Sequence, residues 1–504
     1  MKKYLDVTSL VNSDFYKKNQ RLSWHINYLE YDKFTHDLYD LFKKIKFDER
    51  DDMVFQLAME SIYKDTSAYL SHIYDYVILS SKNIQPVYSH ESKIYIDNIW
   101  KKKKLSLIPS LEQNNKIYKK NTIKKIYQIL AENIPKNLFK YIVIERNPLI
   151  KDFLNNNYKY LRMTYPAHLS SFRSESELAK ILSQKISTFI FSMIEKKYFN
   201  LEDEHKQSVN FIIEKYLSKA DNDLKNYDGF LRNTKNIILG TSSNYNPRLI
   251  STIARNHNTN VWKFDHGGDR CFFDDDRYWN SSFHNTNVFV TYGRKWKEYL
   301  ERKAKDFNKD IEVKAIGSSN YKKIFNTYFG KKLKNNKKIL YAPARFVSEK
   351  REFPHCKMID PVLYDWQKYL IETLQNLQYE VIYKKHPKGT LHEKNNLDTI
   401  AKYTMTNPMI ESLKHADTVI IDSAGSAFVE ALCAGKDVIY IDMKQRLYDK
   451  ENFEEFNSVV KIVSTYIQDG VYYLNLDELK NALNSPHKDI KKQEQVVKDY
   501  WLVS

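Results

Sequence analysis

Three short clusters in this 504-residue chain carry side chains whose types and spacing suit chemistry. Residues 264–279 read FDHGGDRCFFDDDRYW, with Asp265, His266, Asp269 and Arg270 crowded around two glycines. A carboxylate or imidazole held on such a loop can take a proton from a hydroxyl. Asp269 and Asp265, with His266 second, are therefore the candidate bases. Residues 381–390 read VIYKKHPKGT, where a buried-strand pattern stops at Lys385, His386 and Pro387. Proline keeps the residue before it out of the helical region, which holds the imidazole at the mouth of the strand. Residues 419–442 read VIIDSAGSAFVEALCAGKDVIYID, a strand, a turn of small residues, a helix and a further strand. Ser423, Gly425 and Ser426 open that helix, where free backbone N–H groups and hydroxyls can cradle a phosphate. Glu430, farther along it, is placed to reach a ribose hydroxyl. Each cluster alone also fits something plainer: a strand exit with surface lysines, a βα loop with a serine N-cap, a charged turn. Together they read as parts of one anion-binding site, with the serine loop on the strand next to the one that ends at His386.

The elements that position these clusters follow from the alternation of short apolar runs with helical stretches from about residue 235 onward. KNIILG, NVWKFD, TNVFVTYG and IEVKAIG are strands, and a polar break around KKLKNNKK separates them from KILYAPA, YEVIYKKHP, DTVIID and KDVIYID. Strands that alternate with helices imply βαβ units and parallel sheets, here an α/β chain of two Rossmann-like doubly wound domains facing across a cleft. Residues 1–310 are expected to form the first domain with extra N-terminal helices, 311–480 the second, and 481–504 a C-terminal helix that returns to the first. Before residue 230, YDYVILSS (74–81) and YIVIERN (141–147) are the strand candidates. Ligands in open α/β sheets lie beyond the carboxyl ends of the strands, and the unusual residues fall there. They include Ser243 and Asn244, Ser318, and Arg345 in YAPARF.

The bulk numbers exclude several classes. Three cysteines without a CxxC pair, Cys271, Cys356 and Cys433, argue against a disulfide scaffold or a cysteine-rich zinc site. No GxGxxG, GxxxxGK[ST] or GxSxG follows a strand, against a nicotinamide enzyme, a P-loop ATPase and an α/β-hydrolase. Asp274-Asp275-Asp276 resembles a DxD metal signature, but three acids in a row are a weak one, and no metal or other cofactor is expected. The net charge of +17 comes without any nucleic-acid-binding motif, so no nucleic-acid partner is expected. Clusters such as WKKKKL (100–105) are solvated lysines or attraction to an anionic inner membrane surface. The N-terminus lacks the apolar run of a signal peptide and ISTFIFSMI (186–194) is too short to span a bilayer. A cytoplasmic protein, at most peripheral on the membrane, is the expectation.

The two-block pattern resembles the GT-B glycosyltransferase fold. KKHPKG and DSAGSAFVEALCAGKDVIYI resemble the HP and Ser-rich motifs of bacterial transferases that use CMP-activated acidic sugars, such as GT-B sialyltransferases and Kdo transferases. ILYAPA, the HP pair and the Ser-Glu helix also resemble CDP-glycerol phosphotransferases, and DHGGDR resembles the HGG loop of bacterial surface-carbohydrate transferases. The resemblance covers roughly residues 235–445. It implies that His386, Pro387 and Lys385 meet the donor phosphate or nucleotide with Ser423, Gly425, Ser426, Glu430, Arg345 and Ser318. Arg270, Ser243 and Asn244 would then serve the acceptor or donor sugar. The implied partners are a nucleotide-sugar donor and a glycan or glycolipid acceptor, as in capsule or lipopolysaccharide synthesis. The alternatives are a CDP-glycerol or CDP-ribitol phosphotransferase, a UDP- or GDP-sugar donor, and a non-catalytic glycan- or membrane-binding subunit.

Overall fold

The computed structural model describes residues 3–6, 21–26, 28–87, 135–155, 159–163, 165, 175–241, 244–274, 276–331, 337–346, 358–387 and 397–502. A short parallel ribbon pairs β1 (Lys3–Asp6) with β2 (Ile84–Val87). The first large sheet holds β3 (Tyr141–Val143), β4 (Tyr160–Arg162), β5 (Asn236–Leu239), β6 (Asn260–Phe264), β7 (Val288–Thr291) and β8 (Glu312–Ala315). All six are parallel, in the order β4-β3-β5-β6-β7-β8. The second sheet holds β9 (Lys338–Ala342), β10 (Glu380–Lys384), β11 (Tyr403–Met405), β12 (Thr418–Ile421), β13 (Asp437–Asp442), β14 (Lys461–Gln468) and β15 (Val471–Leu474). Its order is β11-β10-β9-β12-β13-β14-β15, parallel except for the closing β14-β15 hairpin.

These strands are near-continuous apolar runs because helices cover both faces of a parallel sheet. Every residue of β7 is buried, as is every residue of β13 after the first. In both sheets the strand order reverses once, between β3 and β5 and between β9 and β12. Such reversals open the crevices where doubly wound sheets take ligands. The two parallel α/β units expected from the alternation are present.

Three expectations are corrected. YDYVILSS is the end of a long helix, Glu49–Ser81. Its apolar residues continue a stripe through Leu70 and Ile73 that is buried against the helix Asp203–Tyr227, so the strand-like run is one face of a helix. The first domain does not stop at residue 310, since β8 hydrogen-bonds to β7 and completes the first sheet. The second unit runs past residue 480, because its helix Leu476–Asn484 packs on β14.

The chain also straps the units together. The helix Ile490–Trp501 returns to the first unit, where Gly293 N donates to Tyr500 O (2.8 Å) and Ser318 N to Trp501 O (3.1 Å). The N-terminal segment crosses the other way. The Arg21 guanidinium meets Asp365 (2.8 Å) and the Tyr472 carbonyl (2.7 Å) and lies 3.8 Å from the centre of the Tyr369 ring. Among the described residues, no helix is long and apolar enough to cross a membrane.

Candidate functional site

The carboxyl ends of the two sheets meet at a cavity of about 340 Å³. His266, Gly267, Asp269, Arg270, Tyr292 and Ser318 line it from the first unit, together with Pro148, Asn320 and Tyr321. Ala424, Gly425, Ser426, Glu430 and Arg446 line it from the second.

The first wall is the loop after β6. Gly267 and Gly268 have φ of 108° and 80°, a region side-chain-bearing residues rarely enter. The loop is tied by aromatic side chains. Gly268 O accepts from Trp501 Nε1 (2.6 Å) and Trp296 Nε1 (3.3 Å), Gly267 O accepts from the Tyr321 hydroxyl (3.0 Å), and Gly267 N donates to the Tyr292 hydroxyl (3.2 Å). This fixes which acidic residue faces the cavity. Asp265 is 1% exposed, and its carboxylate accepts from His266 N (2.6 Å) and the Thr291 hydroxyl (3.4 Å). Burial pushes its carboxyl up to about 6 against the pull of the His266 N–H and Arg270. Asp265 does not line the cavity, so its expected place beside the reacting groups is corrected: it points into the packed layer and buttresses the loop. Asp269 and the exposed His266 are the groups presented.

The second wall begins at the helix Ser426–Cys433, whose cap Gly425 has only open space where a Cβ would stand. Asp422 anchors the turn before it. Its carboxylate, 5% exposed, accepts from the Tyr341 hydroxyl (2.5 Å), Ala344 N (2.6 Å) and Trp366 Nε1 (3.1 Å). Asp422 thereby joins the exits of β12 and β9 across the strand-order reversal. Ser426 and Gly425 reach the cavity; Ser423 does not line it.

Glu430 lies deeper in the cavity. Burial pushes its carboxyl up to about 7, with Lys384 pulling the other way, and burial in turn lowers Lys384. Between the ordinary value of 4.5 and about 7, the unfolded chain has lost a proton that the folded carboxyl keeps. Rising pH therefore favours unfolding in this window. Glu430→Gln is expected to match the wild type near pH 4 and to gain relative stability up to pH 7–8. The gain should be on the order of 2 kcal/mol, allowing for partial solvent screening. Denaturant midpoints of both proteins across that range would check it; parallel curves would place Glu430 in water.

The residue that the sequence did not reveal is Arg446, in the loop after β13. Asp274 N donates to Leu447 O (2.9 Å), Asp449 N donates to Phe272 O (3.0 Å), and Phe273 bridges to Tyr448, so this loop is sewn to the first unit. The Arg446 guanidinium lies 3.9 Å from the centre of the Phe273 ring and donates to Asp269 Oδ2 at 3.1 Å. Arg270 lies 3.4 Å from the centre of the Tyr278 ring. Two oriented guanidiniums thus share the cavity with the helix start.

Other expected residues lie elsewhere. His386 and Pro387 are exposed at the end of β10, and Lys385 pairs with Asp398. None of the three lines the cavity. The serine loop is not on the neighbouring strand, because β9 lies between β10 and β12. Two strand spacings put His386 roughly 10 Å from the helix start. Arg345, after β9, is half-buried between them and outside the lining. Asn244 is exposed at the cap of the helix Tyr245–Asn256, also outside the lining. Ser243 lies outside the described residues, as do Asp275 and WKKKKL. Asp276 is held by Lys303 Nζ at 3.1 Å. Among the described residues no group of three His, Cys, Asp or Glu could hold a metal ion.

No protein-family model matches the chain, and no curated protein matches it. Solved structures match weakly. A UDP-GlcNAc 2-epimerase from Neisseria meningitidis bound to UDP-GlcNAc is 12% identical, covering 72% of this chain and 94% of its own, with a TM-score of 0.35. MurG of Acinetobacter baumannii is 8% identical, covering 71% and 93%, also at 0.35. A glycosyltransferase from Rickettsia africae is 13% identical, covering 72% and 86%, at 0.34. At such scores the site has to be read from its own residues.

Those residues divide the cavity by charge. Arg270, Arg446 and the helix start can neutralise an oligo-anion, while Asp269 and His266 offer proton acceptors on the wall beside it.

Proposed function

We propose that the chain is a GT-B-type glycosyltransferase moving an acidic sugar, of the Kdo or nonulosonic acid class, from a CMP-activated donor to a bacterial surface glycan. The observation that carries this reading is one cavity, at the carboxyl ends of two parallel sheets, that sets two guanidiniums and a helix N-terminus beside a carboxylate and an imidazole. A donor phosphate fits at Ser426, Arg270 and Arg446. Its nucleoside would run over the end of β9 toward Arg345 and His386, a span of roughly two strand spacings. The bond from the anomeric carbon to phosphate oxygen breaks with its electron pair going to the phosphate, whose charge the arginines and helix N–H groups stabilise without a metal. The acceptor hydroxyl oxygen bonds to the anomeric carbon and its proton passes to Asp269, with His266 the second candidate. The basic surface suits an acceptor presented at an anionic membrane.

The cationic cavity suits phosphoryl transfer from CDP-glycerol as well, and substrates separate the two. CMP and CDP are expected to raise the midpoint of thermal unfolding while UDP and GDP do not. CMP is then expected to be released from CMP-Kdo or CMP-sialic acid, and not from CDP-glycerol, when a glycan acceptor is added. Release from CDP-glycerol alone would move the assignment to a phosphotransferase. Stabilisation by UDP or GDP instead would replace the CMP donor. Glycan binding without nucleotide release from any donor would make the chain a binding subunit.

A further inference from the structure

We infer that Arg446 is a donor-sensing residue: it pairs with Asp269 and exchanges that carboxylate for the donor's phosphate when the donor binds, releasing Asp269 to act on the acceptor. The inference rests on the donor site proposed above and adds a residue and an order of events to it.

The geometry carries three parts of this. Arg446 and Asp269 come from opposite units and meet at 3.1 Å inside the cavity, each largely shielded, with side-chain exposures of 12% and 7%. Both backbones are fixed. Asp269 follows the loop pinned by Trp296, Trp501, Tyr292 and Tyr321, and Arg446 precedes the segment joined to Phe272–Asp274. The guanidinium is also supported over the Phe273 ring. Only side-chain rotation is then needed to change partner, and the planar fork suits either a carboxylate or a phosphate. The phosphodiester of a CMP-linked sugar carries one negative charge, as the carboxylate does, but placed between Arg270, Arg446 and Ser426 it has a second guanidinium and the helix N-terminus as additional partners, so it wins the guanidinium. Losing that partner leaves the Asp269 oxygen unshared with a guanidinium and able to accept from an acceptor hydroxyl.

The exchange predicts an unusual sign. A carboxylate that competes for Arg446 weakens anion binding, so Asp269→Asn should bind CMP more tightly than the wild type, by about threefold to tenfold. Arg446→Gln should bind CMP more weakly by at least tenfold. Adding Asp269→Asn to Arg446→Gln should give no gain, because the competition is gone. Calorimetric titration of CMP and of inorganic phosphate into the four proteins, each first checked for an unchanged unfolding midpoint, reads this directly. Weaker or unchanged CMP binding in Asp269→Asn would overturn the exchange while leaving the donor site standing. So would a full gain in the double variant. If the wild type binds neither CMP nor any other nucleotide, the donor-site reading fails and the exchange with it. Arg446→Lys keeps the charge and loses the fork, and is expected to recover only part of the affinity.

Discussion

Trp501→Ala is expected to destabilise the protein by about 3–5 kcal/mol and to abolish any activity that depends on the Gly-Gly loop. The indole is fully buried, its Nε1 donates to Gly268 O at 2.6 Å, and its ring lies among Phe272 and Tyr500. Removing it leaves a cavity in the seam between the units and deprives the Gly268 carbonyl of its shorter hydrogen bond. Gly293→Ala tests the same docking without emptying the core. A Cβ there would stand 2.3 Å from the Asp499 carbonyl oxygen and 2.6 Å from the Tyr500 carbonyl carbon, so the last helical turn must lift away. Both variants should show a lower denaturation midpoint together with weaker CMP binding. Trp501→Phe, which keeps a ring and loses the donor, should cost about 1–2 kcal/mol. A midpoint for Trp501→Ala within error of the wild type would mean that the C-terminal helix does not hold the loop.

The split between what the sequence disclosed and what it hid follows from the range of the forces involved. The strands from β5 onward are short apolar runs bounded by glycine and polar turns, and their alternation with helices is a local pattern, so the two sheets were legible. YDYVILSS has the pattern of a strand because eight residues cannot distinguish a strand from one face of a helix that began twenty-five residues earlier. In the candidate site, Asp269, His266 and Arg270 were legible as more charge than a turn requires, and Gly425, Ser426 and Glu430 as a small-residue helix start and the helix it opens. Arg446 was not, because KQRLYDK has no unusual local feature; its meaning comes from Asp269, 177 residues away. The position of His386 depends on strand order, since β9 enters the sheet between β10 and β12. The separation of Asp265 from Asp269 depends on which side chain the Gly-Gly turn sends inward, which only the tertiary clamp on that loop decides.

That separation leads to the second large effect. Asp269→Asn is expected to lower kcat by about 10²–10⁴-fold, whereas the same change at Asp265 should act through loop stability. Asp269 lines the cavity, where its carboxylate accepts from the Arg446 guanidinium that the donor can claim. Asp265 faces His266 N and Thr291 in a packed layer, out of reach of an acceptor. Asn is nearly isosteric with Asp and cannot accept a proton, so Asp269→Asn should retain its unfolding midpoint and bind the donor more tightly than the wild type while turnover falls. Asp265→Asn removes a carboxyl whose value burial has pushed up to about 6. It should lower the midpoint at neutral pH only if the hydrogen bonds to His266 N and Thr291 outweigh the burial of the charge. His266→Ala is the control for the rival base. If His266→Ala loses as much turnover as Asp269→Asn, and the double variant loses no more than either, the two act as one unit, with the imidazole carrying the proton and the carboxylate orienting it. If His266→Ala retains most of the activity, the proton goes to Asp269 directly. Near-wild-type kcat in Asp269→Asn would remove both arrangements and leave the cavity as a binding site whose base comes from the acceptor or from solvent.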